Sequence, residues 1–237
     1  MSLNSCMGFT VLRTVILAVL AGSILVGCSQ DPTARIEKIY SLQGDPSEAN
    51  QARIRDELVN PDGDVRATAL HVLVTLPVPD GPELALRFLD DDHPFVRMTA
   101  AILLGDLSAD NAVPVLGLRL SEDEDWHVRQ RAAEALAKIG GEEAASLLRT
   151  GFTDPIKEVR RASIMGVSRI APEASMDGLV LLLQEDPEWE VRVQAARALA
   201  SLGSPDAVAP LTAVMYEDPN EFVRAAAAHA VKVINQE

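Results

Sequence analysis

Cysteine is nearly missing from this chain. Two occur in 237 residues, Cys6 and Cys28. Beyond position 28 there is no thiol for a disulfide, a zinc site or a nucleophile paired with histidine, so those chemistries are excluded there. Aromatics make up 4% (2 Trp, 2 Tyr, 5 Phe), few enough that several at one place count as a concentration. Positive charge is short: 21 Lys and Arg against 35 Asp and Glu give a formal −14. Nucleic-acid binding rests on neutralising phosphates, so no nucleic-acid partner is expected. No stretch alternates with period two, so no sheet is expected. The four histidines are followed by Val72, Pro94, Val128 and Ala230, and GxSxG, HExxH and glycine-rich phosphate loops are all missing. No catalytic residue, metal or cofactor is therefore assigned, and the chain is expected not to be an enzyme.

What is present is a repeat. Val-Arg recurs with its arginines at Arg66, Arg97, Arg129, Arg160, Arg192 and Arg224, spaced 31, 32, 31, 32 and 32 residues apart. A fixed period of this size marks stacked supersecondary units. Six residues before each arginine stands Asn60, Asp91, Asp123, Asp154, Asp186 or Asp218, followed in four repeats by Pro61, Pro155, Pro187 or Pro219. Three residues after the arginines the side chain is always small, from Ala69 to Ala227, with Ser163 in the fourth repeat. Aliphatics follow at seven (Leu73 to Val231) and at ten (Leu76 to Ile234). Valine, small, aliphatic, aliphatic at spacings of 4, 4 and 3 lies on one face of an α-helix. The acidic residue and proline are expected at its start, where Asp accepts backbone N–H bonds and Pro fits the first turn. A shorter apolar segment precedes each turn, and Gly140 and Gly203 are placed to stop helices. Each unit reads as helix, turn, helix.

The pattern resembles HEAT repeats of the short bacterial kind named after phycobilin (PBS) lyases, most clearly in Asp186-Pro187-Glu188-Trp189-Glu190-Val191-Arg192 and on through Ala195-Ala196 to Leu199 and Gly203. The resemblance implies an all-α solenoid of about six two-helix repeats. It also implies a ladder between adjacent repeats built from Asp91, Arg97, Asp123, Arg129, Asp154, Arg160, Asp186, Arg192, Asp218 and Arg224. Two enzyme groups share this repeat type. Deoxyhypusine hydroxylase binds two irons through His-Glu pairs, which are missing here. The phycobilin lyases work in the cytoplasm.

After Arg13, residues Thr14 to Val26 carry no charge, and the run ends in Leu25-Val26-Gly27-Cys28. It is short for a membrane span and looks like a secretory signal closing in a bacterial lipoprotein box. The expected organisation is a signal over 1–27, lipidated Cys28 with a tether over 28–35, and the solenoid over 36–237. The resemblance implies lipid on Cys28 and the cell envelope as location, the outer membrane facing the periplasm in a Gram-negative host with Ser29 after the cysteine.

Residues that break the repeat are where a partner is expected. Trp126 and Trp189 stand three before their arginines, and His127 follows Trp126. They form either a binding ridge or staples that close the repeat. On the outer face of the middle second helices stand Arg131, Lys138, Arg161, Arg169 and Arg197. This basic stripe on an acidic chain suits an acidic or extended peptide. Alternatively it is a solvated face with local pairs such as Glu134 with Lys138. The function expected from all this is a membrane-anchored interaction scaffold whose partner protein is unknown. The alternative is an envelope enzyme or enzyme subunit using the same groove.

Overall fold

The computed structural model describes residues 31–170 and 173–235. These residues form thirteen α-helices and no strand. A leading helix α1 (Pro32–Ser41) precedes six helix pairs: α2 (Glu48–Asp56) and α3 (Gly63–Thr75), α4 (Gly81–Arg87) and α5 (Pro94–Asp106), α6 (Val113–Glu122) and α7 (Trp126–Ile139), α8 (Gly141–Thr150) and α9 (Lys157–Ile170), α10 (Met176–Glu185) and α11 (Trp189–Leu202), and α12 (Val208–Glu217) and α13 (Glu221–Asn235). Successive second helices pack on one another without a break from α3 to α13. Each unit thus touches its neighbours and nothing further away, the arrangement of a solenoid. Among the described residues no helix is long and apolar enough to cross a membrane. The signal segment and Cys28 lie outside the described residues.

The repeat pattern maps directly onto the core. The six valines before the arginines and all six small residues three after them are fully buried. Small side chains let neighbouring second helices approach closely. Gly105 takes this furthest, since a Cβ there would lie 2.9 Å from the Ala135 Cα of α7. The aliphatics seven after the arginines are fully buried from Leu73 to Leu199. Those at ten are covered less evenly: Leu76 is 8% and Leu107 41% exposed, and Ile139, Ile170, Leu202 and Ile234 are partly buried against the core. This position falls within one residue of the end of each helix, where the core thins.

One expectation about the ends changes and one holds. The solenoid begins at Pro32, four residues before the boundary expected at 36. Asp31 caps α1 by accepting the Thr33 N–H at 3.0 Å, and Arg35 bonds Glu57 at 2.7 Å, so the last residues assigned to the tether are helical. α1 packs on α3, where a preceding second helix would sit, and covers the face that an end repeat leaves open. Gly140 (φ +82°) and Gly203 (φ +68°) do close α7 and α11, in a backbone region that glycine enters without penalty.

The aspartate before each turn is not the cap of the helix that follows. It ends the preceding helix or 3-10 turn, and it lies two residues ahead of caps such as His93, Asp125 and Glu188. Its side chain folds back as an Asx-turn, accepting the N–H two residues on: His93 at 2.8 Å from Asp91, Asp125 at 3.0 Å from Asp123, Glu188 at 2.9 Å from Asp186. Pro155 and Pro187 therefore sit in the turn, before the helix.

Each arginine then fixes two things at once. Its Nη1 donates to the carbonyl of the aspartate or asparagine six residues earlier, at 2.8–2.9 Å in every repeat. Its Nε and Nη2 fork onto the next repeat's aspartate: Arg66 on Asp91, Arg97 on Asp123, Arg129 on Asp154, Arg160 on Asp186, Arg192 on Asp218. Such bidentate, charge-assisted pairs are the stronger class of hydrogen bond. The ends of the ladder explain the ends of the pattern. No arginine forks onto Asn60, so an amide suffices for its turn, where it accepts the Asp62 N–H at 3.0 Å. Among the described residues Arg224 forks onto no aspartate, and its Nη1 donates to the Asp218 and Pro219 carbonyls at 2.8 and 3.0 Å.

At Arg66 and Asp91 the fork shifts both partners toward their charged forms, the hydrogen bond between them raising the arginine and lowering the aspartate. The hydrogen bond to Asp123 holds Arg97 above the ordinary arginine value, against the opposing effect of burial. Burial pushes the Asp91 and Asp218 carboxyls up, but the bonds from arginine and from backbone N–H outweigh it and leave both below the ordinary value. Folded values depressed in this way add stability that is complete above the ordinary aspartate value of about 3.9 and lost as pH falls through the lower folded values. Urea midpoints should therefore be flat above about pH 5 and decline below about pH 4. A midpoint that held steady into that acid range would contradict this.

Candidate functional site

The second helices present a continuous face on which two grooves open. One, of ≈ 390 Å³, lies between α7 and α9, and the other, of ≈ 840 Å³, lies between α11 and α13. They are the same place two repeats apart. Gln130, Lys138, Glu158, Arg161, Met165 and Arg169 line the first, where Val193, Ser201, Phe222, Ala225, His229 and Val233 line the second. One architecture thus offers two linings, with Arg161 and Arg169 in the first where Ala225 and Val233 stand in the second, and Trp189 and Phe222 exposed only in the second.

In the first groove, Arg161, Met165 and Arg169 follow at four-residue spacing and share one face of α9. Met165 is 56% exposed, although a methionine that size is usually covered. Neither arginine makes a salt bridge among the described residues, and the buried Arg161 Nε has no hydrogen-bond partner. Glu134 and Glu158 line the same groove, and Glu134 is engaged with Arg131 at 2.6 Å. Lys138 bonds Asp106 across to α5 at 2.5 Å. The expected Glu134–Lys138 pair is not made, because each finds a closer partner. At the edge of the face, Glu190 lies below its ordinary value, chiefly through its 2.8 Å hydrogen bond from Lys157, with the charge of Arg161 adding.

In the second groove the Trp189 and Phe222 rings lie 5.4 Å apart. They are 39% and 59% exposed, and Arg197 stands at the rim without a salt bridge. Trp126 holds the same repeat position as Trp189 but lines neither groove. It is half-buried against the core and stacks on His127 at 3.6 Å, while His127 bonds Asp125 at 2.9 Å. Of the partner residues expected from sequence, Lys138, Arg161, Arg169, Trp189 and Arg197 come together on the grooved face. Trp126, His127 and Arg131 stand beside it. Met165 and Phe222 complete the site. Met165 was detectable as the residue five after its arginine, where Glu134 and Arg197 stand in the flanking repeats.

Among the described residues no three His, Cys, Asp or Glu side chains converge as a metal site. The four histidines stand in α3, before α5, in α7 and in α13.

The fold and this face define a class: stacked helix pairs tied by an arginine–aspartate ladder, with a grooved inner layer. The chain belongs to the HEAT-repeat family, whose model matches residues 52–120, 82–168 and 151–232. It is 32% identical over 136 residues to deoxyhypusine hydroxylase of Mus musculus, covering 57% of this chain and 41% of the relative. It is 34% identical over 131 residues to phycocyanobilin lyase subunit beta of Pseudanabaena tenuis (strain PCC 7409), covering 50% and 45%. The chain thus spans less than half the length of the curated relatives it matches. A designed armadillo repeat protein superposes with a TM-score of 0.55 at 20% identity, over 77% of this chain and 99% of that one, which bears on the fold alone. The expectation that the chain is not an enzyme is corrected by these relatives, a hydroxylase and a lyase subunit.

Proposed function

We propose that this chain is a subunit of an enzyme built on HEAT repeats, with the second-helix face holding a polypeptide substrate or partner subunit. The observation that carries the reading is the similarity to a lyase subunit and a hydroxylase. A subunit needs a surface, and the paired grooves supply one. The lipoprotein box at Leu25-Val26-Gly27-Cys28 supports lipid on Cys28 and a place on the cell envelope, at the outer membrane in a Gram-negative host. One acyl chain gives marginal binding and several give a firm hold.

The full chain purified from its own host and assayed by elemental mass spectrometry should contain no stoichiometric iron and should elute with a second polypeptide at constant ratio. Iron at two per chain in a solitary chain would contradict the subunit reading. Intact-mass measurement on the same material tests the anchor, because an unmodified Cys28 preceded by its signal would overturn it.

A further inference from the structure

We infer that the second-helix face reads an extended peptide in two places: acidic residues at Arg161 and Arg169 between α7 and α9, and one large apolar side chain laid against the packed Trp189–Phe222 pair. This rests on the reading of that face as the holding surface and adds which chemistry it selects.

Three observations support it. First, the two grooves use equivalent repeat positions, yet Arg161 and Arg169 in one are Ala225 and Val233 in the other. A structural role common to all repeats would not require such a change. Second, the arginines have unused binding capacity. Every ladder arginine from Arg66 to Arg192 is forked onto a carboxylate, whereas Arg161, Arg169 and Arg197 have none among the described residues. Positive charge left unpaired on a chain of formal charge −14 steers an acidic segment to this face and rejects basic ones. Third, Trp189 and Phe222 leave apolar surface exposed at the neighbouring groove, and such aromatic pockets act as anchor points in interfaces. Glu158 and Glu134 in the first groove set a limit: they disfavour a long polyacidic run and select one or two carboxylates placed against the arginines.

The geometry sets the spacing. The arginines stand on α9 and the aromatic pair on α11 and α13, about one and a half packing steps of about 8–10 Å away, and an extended chain covers that span in about four residues. The ligand is therefore an extended segment with one or two acidic residues at one end and Phe, Leu or Trp about four residues away.

The test uses the full chain and fluorescein-labelled peptides carrying an acidic pair, a neutral polar spacer and one Phe, read by fluorescence anisotropy. The peptide with a spacer of about three residues should bind about tenfold tighter than a peptide with no spacer or one with a spacer of about nine. The double variant Arg161→Glu/Arg169→Glu and, separately, Trp189→Ala should each weaken it about tenfold, while Arg87→Glu on the other layer leaves it unchanged. Affinity independent of spacer, or unaltered in both face variants, overturns the inference, as does failure of every peptide to bind. Spacer dependence is read on the unmodified chain, so a variant that misfolds does not blunt the test. If a second polypeptide co-elutes equally with the Arg161→Glu/Arg169→Glu chain, this inference fails and the subunit reading stands. If the peptides bind as expected but no second polypeptide co-elutes, the subunit reading fails.

Discussion

Asp123→Ala should destabilise the stack by about 3–5 kcal/mol, the range for removing one partner of a buried ion pair. Its side chain is 1% exposed, and that of its partner Arg97 is 7% exposed. The carboxylate receives Arg97 Nε and Nη2, each at 2.8 Å, and the Asp125 N–H at 3.0 Å. Alanine leaves all three donors without that acceptor, in a place water does not easily reach. Arg97 keeps its Nη1 bonds to the Asp91 and Asp92 carbonyls, so its charge stays pinned in the gap. Glu124, 3.8 Å from Arg97 and 87% exposed, is the one nearby group able to swing in and recover part of the loss. Urea unfolding followed by circular dichroism gives the number, and a loss under about 1 kcal/mol would mean the ladder is decorative. Because each repeat contacts only its neighbours, hydrogen exchange should rise first where α5 meets α7, with the outer repeats little changed.

Leu136→Ala should lose about 2–5 kcal/mol, through lost burial plus the cavity left behind. Leu136 is fully buried in α7, which packs against both α5 and α9, so the hole opens where three second helices meet. Leu107→Ala is the matched control. It removes the same atoms from the position ten after an arginine, but Leu107 is 41% exposed, and surface changes stay within about 0.5 kcal/mol. Equal losses at the two sites would show that the repeat pattern, and not burial, governs stability, contrary to the packing described.

Period, helix pairing and the buried face were legible in the sequence because they recur six times. Val65 through Val223 and the small residues from Ala69 on obey one spacing and meet one fate. The aspartates were harder. The family resemblance implied a ladder between adjacent repeats, which the structure shows, but the six-residue spacing of Asp123 and Arg129 does not say which arginine takes which oxygen. The fork comes from Arg97, 26 residues back, and Arg129 takes only the Asp123 carbonyl. That division depends on how repeats stack, which no local spacing records. Trp126 and Trp189 make the same point. They share a repeat position, yet Trp189 faces Phe222 in the next repeat, while Trp126 lies over the core beside His127. What a repeat residue touches is set by a residue about one period away, so the grooves were visible only as a list of departures. The relation to enzymes was misread for a similar reason. Missing His-Glu pairs spoke to one family's metal site, and the conclusion drawn from them was broader than that.

The central claim, that the second-helix face is where this HEAT-repeat chain holds another polypeptide, has a direct test. A photo-crosslinking residue is placed at Met165, at Val233 or at Tyr216 in the first-helix layer, in the full chain inside its host. The account predicts one and the same adduct from Met165 and Val233, abolished by Arg161→Glu/Arg169→Glu, and none from Tyr216. Adducts from Tyr216 alone, or from all three positions irrespective of the arginines, would contradict it.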